Sequence, residues 1–445
     1  METHKLQPWE AAKIRAIFFF VGLLLSLPSH VVVNVSFLIN RIYNEDIFVV
    51  VMGILSGCMI ISSVFQLTFE RTSFKSIMVL NSLNLASMLL LLVGISILKC
   101  SKYYVYVICG IIGLFIGFLY SSSIKYSLLM AIKVNGYLIT GISFSALFFF
   151  LINLLMSYVT IEDGNIESYY NAISLSIGTI VVIEVFIILF IMYVQISSPF
   201  FKEQRKKIDL EIYHNANRDR ELSSIEHGNI KKQNTGLSTF SSKSRDAGIH
   251  MSVLTSCKEK IINFKNMFHF SNITDGARLI KYYYNCLIPI SFSIFVTSIV
   301  YPHIIPNKLG KGVYVSYLFI FLYQLSDMLF NIVVTVYVNA FNFLKQKYVV
   351  MLCISRVILL GIAFKMKNLD DGSYMRSNVF VSVLIFILGA TNGSLINLSY
   401  ARIRDCFEES STKEQKIGVS SSFCVLALLT SFAMAPWFCK AIIDL

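Results

Sequence analysis

Long apolar stretches recur along the chain, broken by short polar ones. Ile77 to Leu98, Tyr137 to Val159 and Asn378 to Ala401 carry no charged residue. Each exceeds the roughly 20 residues that a helix needs to cross about 30 Å of hydrocarbon. The pattern predicts eleven spans, with approximate limits 14–38, 47–69, 76–98, 103–124, 136–159, 171–195, 281–305, 313–342, 347–366, 377–401 and 417–440. Continuous runs, rather than short alternating segments, exclude a membrane β-barrel. The first run follows Lys13 and Arg15 and extends to Leu38, too long for a signal core, so it reads as a retained span.

One long polar segment interrupts the series, at about 196–280. It holds "KEQRKK" (Lys202–Lys207) and the Ser-rich "GLSTFSSKSR" (Gly236–Arg245), a composition expected of a solvated linker. "CKEKIINFKNMFHF" (Cys257–Phe270) alternates basic and apolar residues and fits either an interfacial helix or a plain loop. The expected organisation is a six-helix bundle over 1–195, a linker over 196–280 and a five-helix bundle over 281–445. An all-α polytopic protein of this 6+5, two-bundle, major-facilitator-like form places its substrate between the bundles near the midplane.

Composition agrees, with 56% hydrophobic and 14% charged residues. The net charge of +12 is explained largely by topology. With the N-terminus in the cytoplasm, 28 of the 38 Lys and Arg fall in cytoplasmic segments, and the short segments alone divide 13 to 9. This orientation puts the C-terminus outside and removes the need for a nucleic-acid partner. The nine cysteines and seven histidines form no ligand spacing or disulfide framework. No paired carboxylates, HExxH or nucleophile elbow occurs, so an enzyme, a cofactor and a metal are not expected.

Charge inside the spans then stands out, because an ionised group at the bilayer centre costs about 2.5–3.5 kcal/mol. Asp327 lies in span 8, Arg356 in span 9, Glu184 in span 6 and His30 in span 1 beside Pro28. Lys125 near the end of span 4 is placed to snorkel. Asp327 reads as a substrate contact, as the partner of Arg356 in a structural ion pair, or as both. Glu184 reads as a neutral, hydrogen-bonded packing residue. His30 reads equally as a cavity residue or as one satisfied by a nearby carbonyl. Gly110, Gly113 and Gly117 in span 4, with Gly136 and Gly141 in span 5, read as close-packing positions.

Several motifs, in order, resemble the equilibrative nucleoside transporter family, especially its divergent protozoan members. They are "LPSH" (Leu27–His30), "NGYLITGISFSALFFFLINLL" (Asn135–Leu155), "YP" (Tyr301–Pro302), Arg356, "TNG" (Thr391–Gly393) and "KEQKIGVSSSFCVLALL" (Lys413–Leu429). The family pattern in span 8 is roughly Phe-Asn-x-x-Asp-x-x-Gly-Arg. This chain has "YQLSDMLFN" (Tyr323–Asn331), which keeps the Asp as Asp327 and an amide as Gln324. Phe330 replaces the Gly and Asn331 the Arg. A family Gln in span 4 corresponds to Tyr120.

The resemblance implies transport of nucleosides or nucleobases, purines above all, by facilitated diffusion through alternating access. Asp327, Gln324, Asn331, His30, Tyr120 and Asn392 would line the substrate site, with Tyr120 available to stack on a base. Loss of the family Arg leaves Asp327 to lean on Arg356 and opens a shift toward nucleobases. The partners expected are a small-molecule substrate and the lipid bilayer, with the plasma membrane as location. Another small organic solute, or a receptor or scaffold without transport, are the alternative functions.

Overall fold

The computed structural model describes residues 8–43, 47–68, 73–130, 133–161, 165–210, 271–305, 313–343, 346–370, 372–409 and 412–443. Among them are eleven helices long and apolar enough to cross a membrane. They are α1 (Pro8–Tyr43), α2 (Phe48–Thr68), α3 (Phe74–Ser96), α4 (Lys102–Leu129), α5 (Asn135–Thr160) and α6 (Ile166–Ser197). Then come α7 (Ser271–Ser298), α8 (Val313–Val336), α9 (Gln346–Lys367), α10 (Asn378–Arg402) and α11 (Lys413–Ile443). Each predicted span has its helix. Most helices overrun the apolar run, because backbone that stays hydrogen-bonded need not stop at the hydrocarbon edge. The 36 residues of α1 reach about 54 Å.

Helix starts follow local chemistry. Ser73 accepts from the Ser76 N–H, Asn165 from Glu167 and Ser377 from Phe380, each satisfying an orphan donor of a first turn. Two departures from the predicted organisation follow. Residues 199–210, expected in the solvated linker, are helical, and α7 begins ten residues before its apolar run. In the first case, Phe201 and Ile208, seven residues apart on one helix face, are both buried. The Ser-rich stretch, Cys257–Phe270 and "GKG" (Gly310–Gly312) lie outside the described residues.

Packing sorts the helices into two groups. In the first, α1 packs on α5, α6 and α4, α2 on α4, and α3 on α4 and α6. In the second, α8 packs on α10, and α7 on α11, α9 and α10. Between the groups α5 meets α8 and α10, while α11 meets α2 and α4. One apolar core fills the first group and continues into the second through Tyr283, Ile290, Tyr400, Ile403, Ile417 and Val425. These residues lie toward the end where α4 stops and α11 begins. A second core, with Val296, Phe319, Met366, Ile385 and Cys439, occupies the opposite half of the second group.

Lipid offers no hydrophobic drive between helices, so close approach matters. A Cβ on Gly141 would lie 2.0 Å from the Phe19 carbonyl oxygen, and one on Gly22 would lie 2.0 Å from that of Leu138. These reciprocal glycines set the α1–α5 distance. Gly117 serves α2–α4, where a Cβ would stand 2.3 Å from the Met59 oxygen. Gly178 meets nothing within 4 Å. Gly141→Ala should therefore cost about 3 kcal/mol or more, since backbone must move. Gly178→Ala should be neutral or stabilise by up to about 1 kcal/mol. Melting of the two variants in one detergent checks the contrast.

Candidate functional site

The α8 sequence places Gln324, Asp327, Asn331 and Thr335 on one stripe, at spacings of three and four. The opposite face presents Leu329, Phe330, Ile332, Val333 and Val336 outward. Gln324, Asp327 and Asn331 are all buried. The carboxylate thus points away from lipid, and its bonds are internal.

Asn392 of α10 donates to Asp327 Oδ1 at 2.8 Å. Asn331 Nδ2 is 3.4 Å from Asp327 Oδ2 and donates to the Ser143 hydroxyl of α5 at 2.7 Å. Ser143 also lies beside the Asp327 carboxylate. The Asn392 amide continues the network, because its Oδ1 accepts from Ser293 at 3.2 Å and Thr297 at 2.9 Å, one turn apart on α7. The same two hydroxyls accept from Arg356, with Nη2 to Thr297 Oγ1 at 2.6 Å. Arg356 also donates to the Leu388 carbonyl at 3.3 Å. It is 1% exposed and heads the largest fully buried side chains.

This geometry corrects the expected direct ion pair. Asp327 and Arg356 do not form a salt bridge; two hydroxyls and one amide separate them. The arrangement has a physical reason. A guanidinium offers five donors and an Asn amide offers both donor and acceptor, so intermediaries satisfy both charges with more bonds than one contact would. The relay also ties α7, α8, α9 and α10 together. Gly393 makes it reachable, since a Cβ there would stand 2.4 Å from the Asp327 carbonyl oxygen and 2.7 Å from Asn331 Nδ2.

Below Asn331 the polar seam continues between the groups. Thr335 and Thr140 share a hydrogen bond at 2.9 Å, and Asn397 donates to Thr335 at 2.8 Å. A Cβ on Gly136 would sit 2.9 Å from the Thr335 hydroxyl. One face of α5, Gly136–Thr140–Ser143, therefore docks on the polar stripe of α8.

The other expected site residues divide. Tyr120 of α4 lies near enough to Asp327 to feel its charge. Gln324 lies beside Tyr301, whose ring stacks on Tyr323 at 4.2 Å. Tyr301 stands at a break in the helix, with φ −124° and ψ 126°. The His30 imidazole makes no hydrogen bond into the Asp327 network; its carbonyl accepts from Asn34 at 2.8 Å. Glu184 is buried on α6 apart from this network, and its Oε1 has no hydrogen-bond partner. Lys125 lays its stem across Gly418 of α11. Sequence reasoning missed Ser143, Ser293 and Thr297. Their signal was spacing, with Ser293 and Thr297 four apart and Gly136, Thr140 and Ser143 on one face.

Three buried polar atoms at this site have no hydrogen-bond partner: Gln324 Oε1, Asn331 Oδ1 and Arg356 Nε. Two acceptors on the same helix face as Asp327, with a cationic donor at the far end of the relay, form a set suited to a solute rich in O–H and N–H groups.

No family model matches the sequence, and no curated protein matches it. Solved structures do match. The partially occluded, inward-open xylose transporter XylE from E. coli has a TM-score of 0.57 at 12% identity, over 97% of this chain and 91% of that one. The E. coli fucose:proton symporter FucP has 0.56 at 12%, over 98% and 92%. The proton:xylose symporter XylE bound to 6-bromo-6-deoxy-D-glucose has 0.55 at 12%, over 98% and 89%. The chain has the major facilitator fold. None of these three is an equilibrative nucleoside transporter, so that resemblance rests on the sequence motifs.

In the major facilitator frame, Asp327 sits on a second-group helix that faces the first group, with α5 opposite. The relay predicts that Asn392→Ala strands Asp327 Oδ1, Ser293 and Thr297 together. Stability should fall by about 2–4 kcal/mol. The conservative Asn392→Gln should lose less. Thermal unfolding of the two purified variants reads the difference.

Proposed function

We propose that this protein is a membrane transporter that moves nucleosides or nucleobases between its two helix groups by alternating access. The observation that carries the reading is the Asp327 site. It is a buried carboxylate at the junction of α5, α8 and α10, flanked by unbonded Gln324 and Asn331 oxygens and faced by Tyr120. Asp327 accepts substrate hydrogen bonds, and Gln324 and Asn331 complete the polar edge. Tyr120 packs on the planar base. Asn392 holds the carboxylate in place, and His30 serves the cavity from α1. Arg356 supplies charge compensation at a distance. With Asn331 in place of an Arg, no guanidinium reaches a sugar diol from α8, which favours the base over the ribose as the recognised part.

Transport requires the polar seam to part. At the seam between α5 and α8, Ser143–Asn331 and Thr140–Thr335 join the two groups by hydrogen bonds. Such contacts exchange for water at little net cost, about 0.5–1.5 kcal/mol each. The reading includes facilitated diffusion, a plasma-membrane location and a cytoplasmic N-terminus, the last from the distribution of Lys and Arg. A second reading keeps the transporter and changes the cargo to a sugar. The fold likeness to sugar symporters favours it, and the same acceptors suit a polyol.

Uptake of radiolabelled hypoxanthine, adenosine and xylose in a transport-deficient cell separates the readings. Purine uptake is expected, with Asp327→Ala lowering it at least tenfold at equal surface abundance. Normal transport by Asp327→Ala would remove the assigned role. Xylose uptake alone would establish the sugar cargo. Ligand-dependent stabilisation without flux in proteoliposomes would make the protein a receptor.

A further inference from the structure

The helix over 199–210 follows α6 and holds three lysines, Lys202, Lys206 and Lys207, and Arg205. Its other face is firmly seated. Phe201 is fully buried with its ring 5.1 Å from that of Phe74, which in turn meets Tyr126 at 5.6 Å and Phe18 at 6.3 Å. Ser198 caps the helix, accepting from the Phe201 N–H at 3.3 Å while its hydroxyl donates to Glu10 of α1. The helix therefore lies across the ends of α1, α3 and α4 in a set position.

The cations face outward. Arg205 pairs with Asp209 at 3.6 Å, whereas Lys202, Lys206 and Lys207 make no ion pair among the described residues. Lys202 and Lys206, one turn apart, line an open groove of about 520 Å³ with Arg205, Asp209 and Leu210. Like charges held this close repel, and an anion in the groove would relieve them.

The helix that precedes the groove in the chain is apolar on its exposed side. Phe186, Leu189, Tyr193 and Ile196 form an exposed stripe along α6 at helical spacing, each more than half exposed. At 32 residues and about 48 Å, α6 outreaches the hydrocarbon layer and ends among headgroups. A membrane-crossing helix that passes, a few residues on, into a cationic groove sets that groove at the depth of the phosphates.

We propose that this groove is a binding site for the phosphate-bearing headgroup of an anionic phospholipid. Its chains lie on the α6 stripe and its phosphate sits between Lys202 and Lys206, with Arg205 held to one side by Asp209. The site lies at the leaflet facing the Lys- and Arg-rich segments, so it rests on the cytoplasmic orientation proposed above; that leaflet carries the anionic lipids. A bound lipid fixes the 199–210 helix over the ends of α1, α3 and α4. A free polyphosphate would use the cations alone, without the bilayer.

The test uses the full chain in a neutral detergent. Melting is followed during titration with dioctanoyl phosphatidylinositol 4-phosphate, dioctanoyl phosphatidylcholine, inositol hexakisphosphate and inorganic phosphate. The phosphoinositide should raise the melting temperature, and phosphatidylcholine should not. Lys202→Gln with Lys206→Gln should weaken the phosphoinositide about tenfold or more, while Lys202→Arg with Lys206→Arg keeps it. Phe186→Ser with Leu189→Ser should weaken the lipid and leave inositol hexakisphosphate unchanged. Equal binding of the lipid and inositol hexakisphosphate would overturn the lipid assignment. So would an undiminished response in the double Gln variant, or no response to any anion. None of these residues touches the Asp327 site, so purine uptake by the double Gln variant in neutral-lipid vesicles keeps this result separate from the transport reading.

Discussion

A carboxylate and a guanidinium buried in a membrane protein cannot turn to water, and every bond they lack raises the energy of the fold. Asp327 and Arg356 meet this constraint without touching. Asn392 accepts from Ser293 and Thr297 and donates to Asp327, while the two hydroxyls accept from Arg356. Four helices must therefore stand in one arrangement for both charges to be satisfied. The glycine at Gly393, the polar stripe of α8 and the docking of α5 all follow from that demand.

The relay also suits a binding site better than a direct ion pair would. A salt bridge would commit both Asp327 oxygens and much of the Arg356 fork to each other. Here the carboxylate is held by the neutral side chains of Asn392, Ser143 and Asn331, and Arg356 Nε, Gln324 Oε1 and Asn331 Oδ1 have no hydrogen-bond partner. The fold holds the charges in place yet leaves bonding capacity beside them. Facing this site, α5 brings Ser143 and Thr140, whose hydroxyls meet Asn331 and Thr335 of α8.

Much of this was legible in the chain because membrane solvation makes the signal coarse. Eleven apolar runs gave eleven helices, and the scarcity of charge picked out Asp327, Arg356 and Glu184. The relay was not legible, because Ser and Thr are common in spans and only three-dimensional packing tells a back-bonded serine from a bridging one. Ser26 and Ser293 look alike in sequence. The first bonds across to Ser145 within its own group, and the second joins Arg356 to Asn392. The 199–210 helix was hidden for another reason. Its lysines dominate the composition, and two buried residues, Phe201 and Ile208, decide the structure.

Asp327 and Arg356 act as one unit through Asn392. A double-mutant cycle on thermodynamic stability, with Asp327→Asn, Arg356→Gln and the combination, measures that coupling directly. The predicted result is a non-additive cycle, with an interaction of about 1–3 kcal/mol. Losses that add to within about 0.5 kcal/mol would show that the two charges are independent and would contradict the relay.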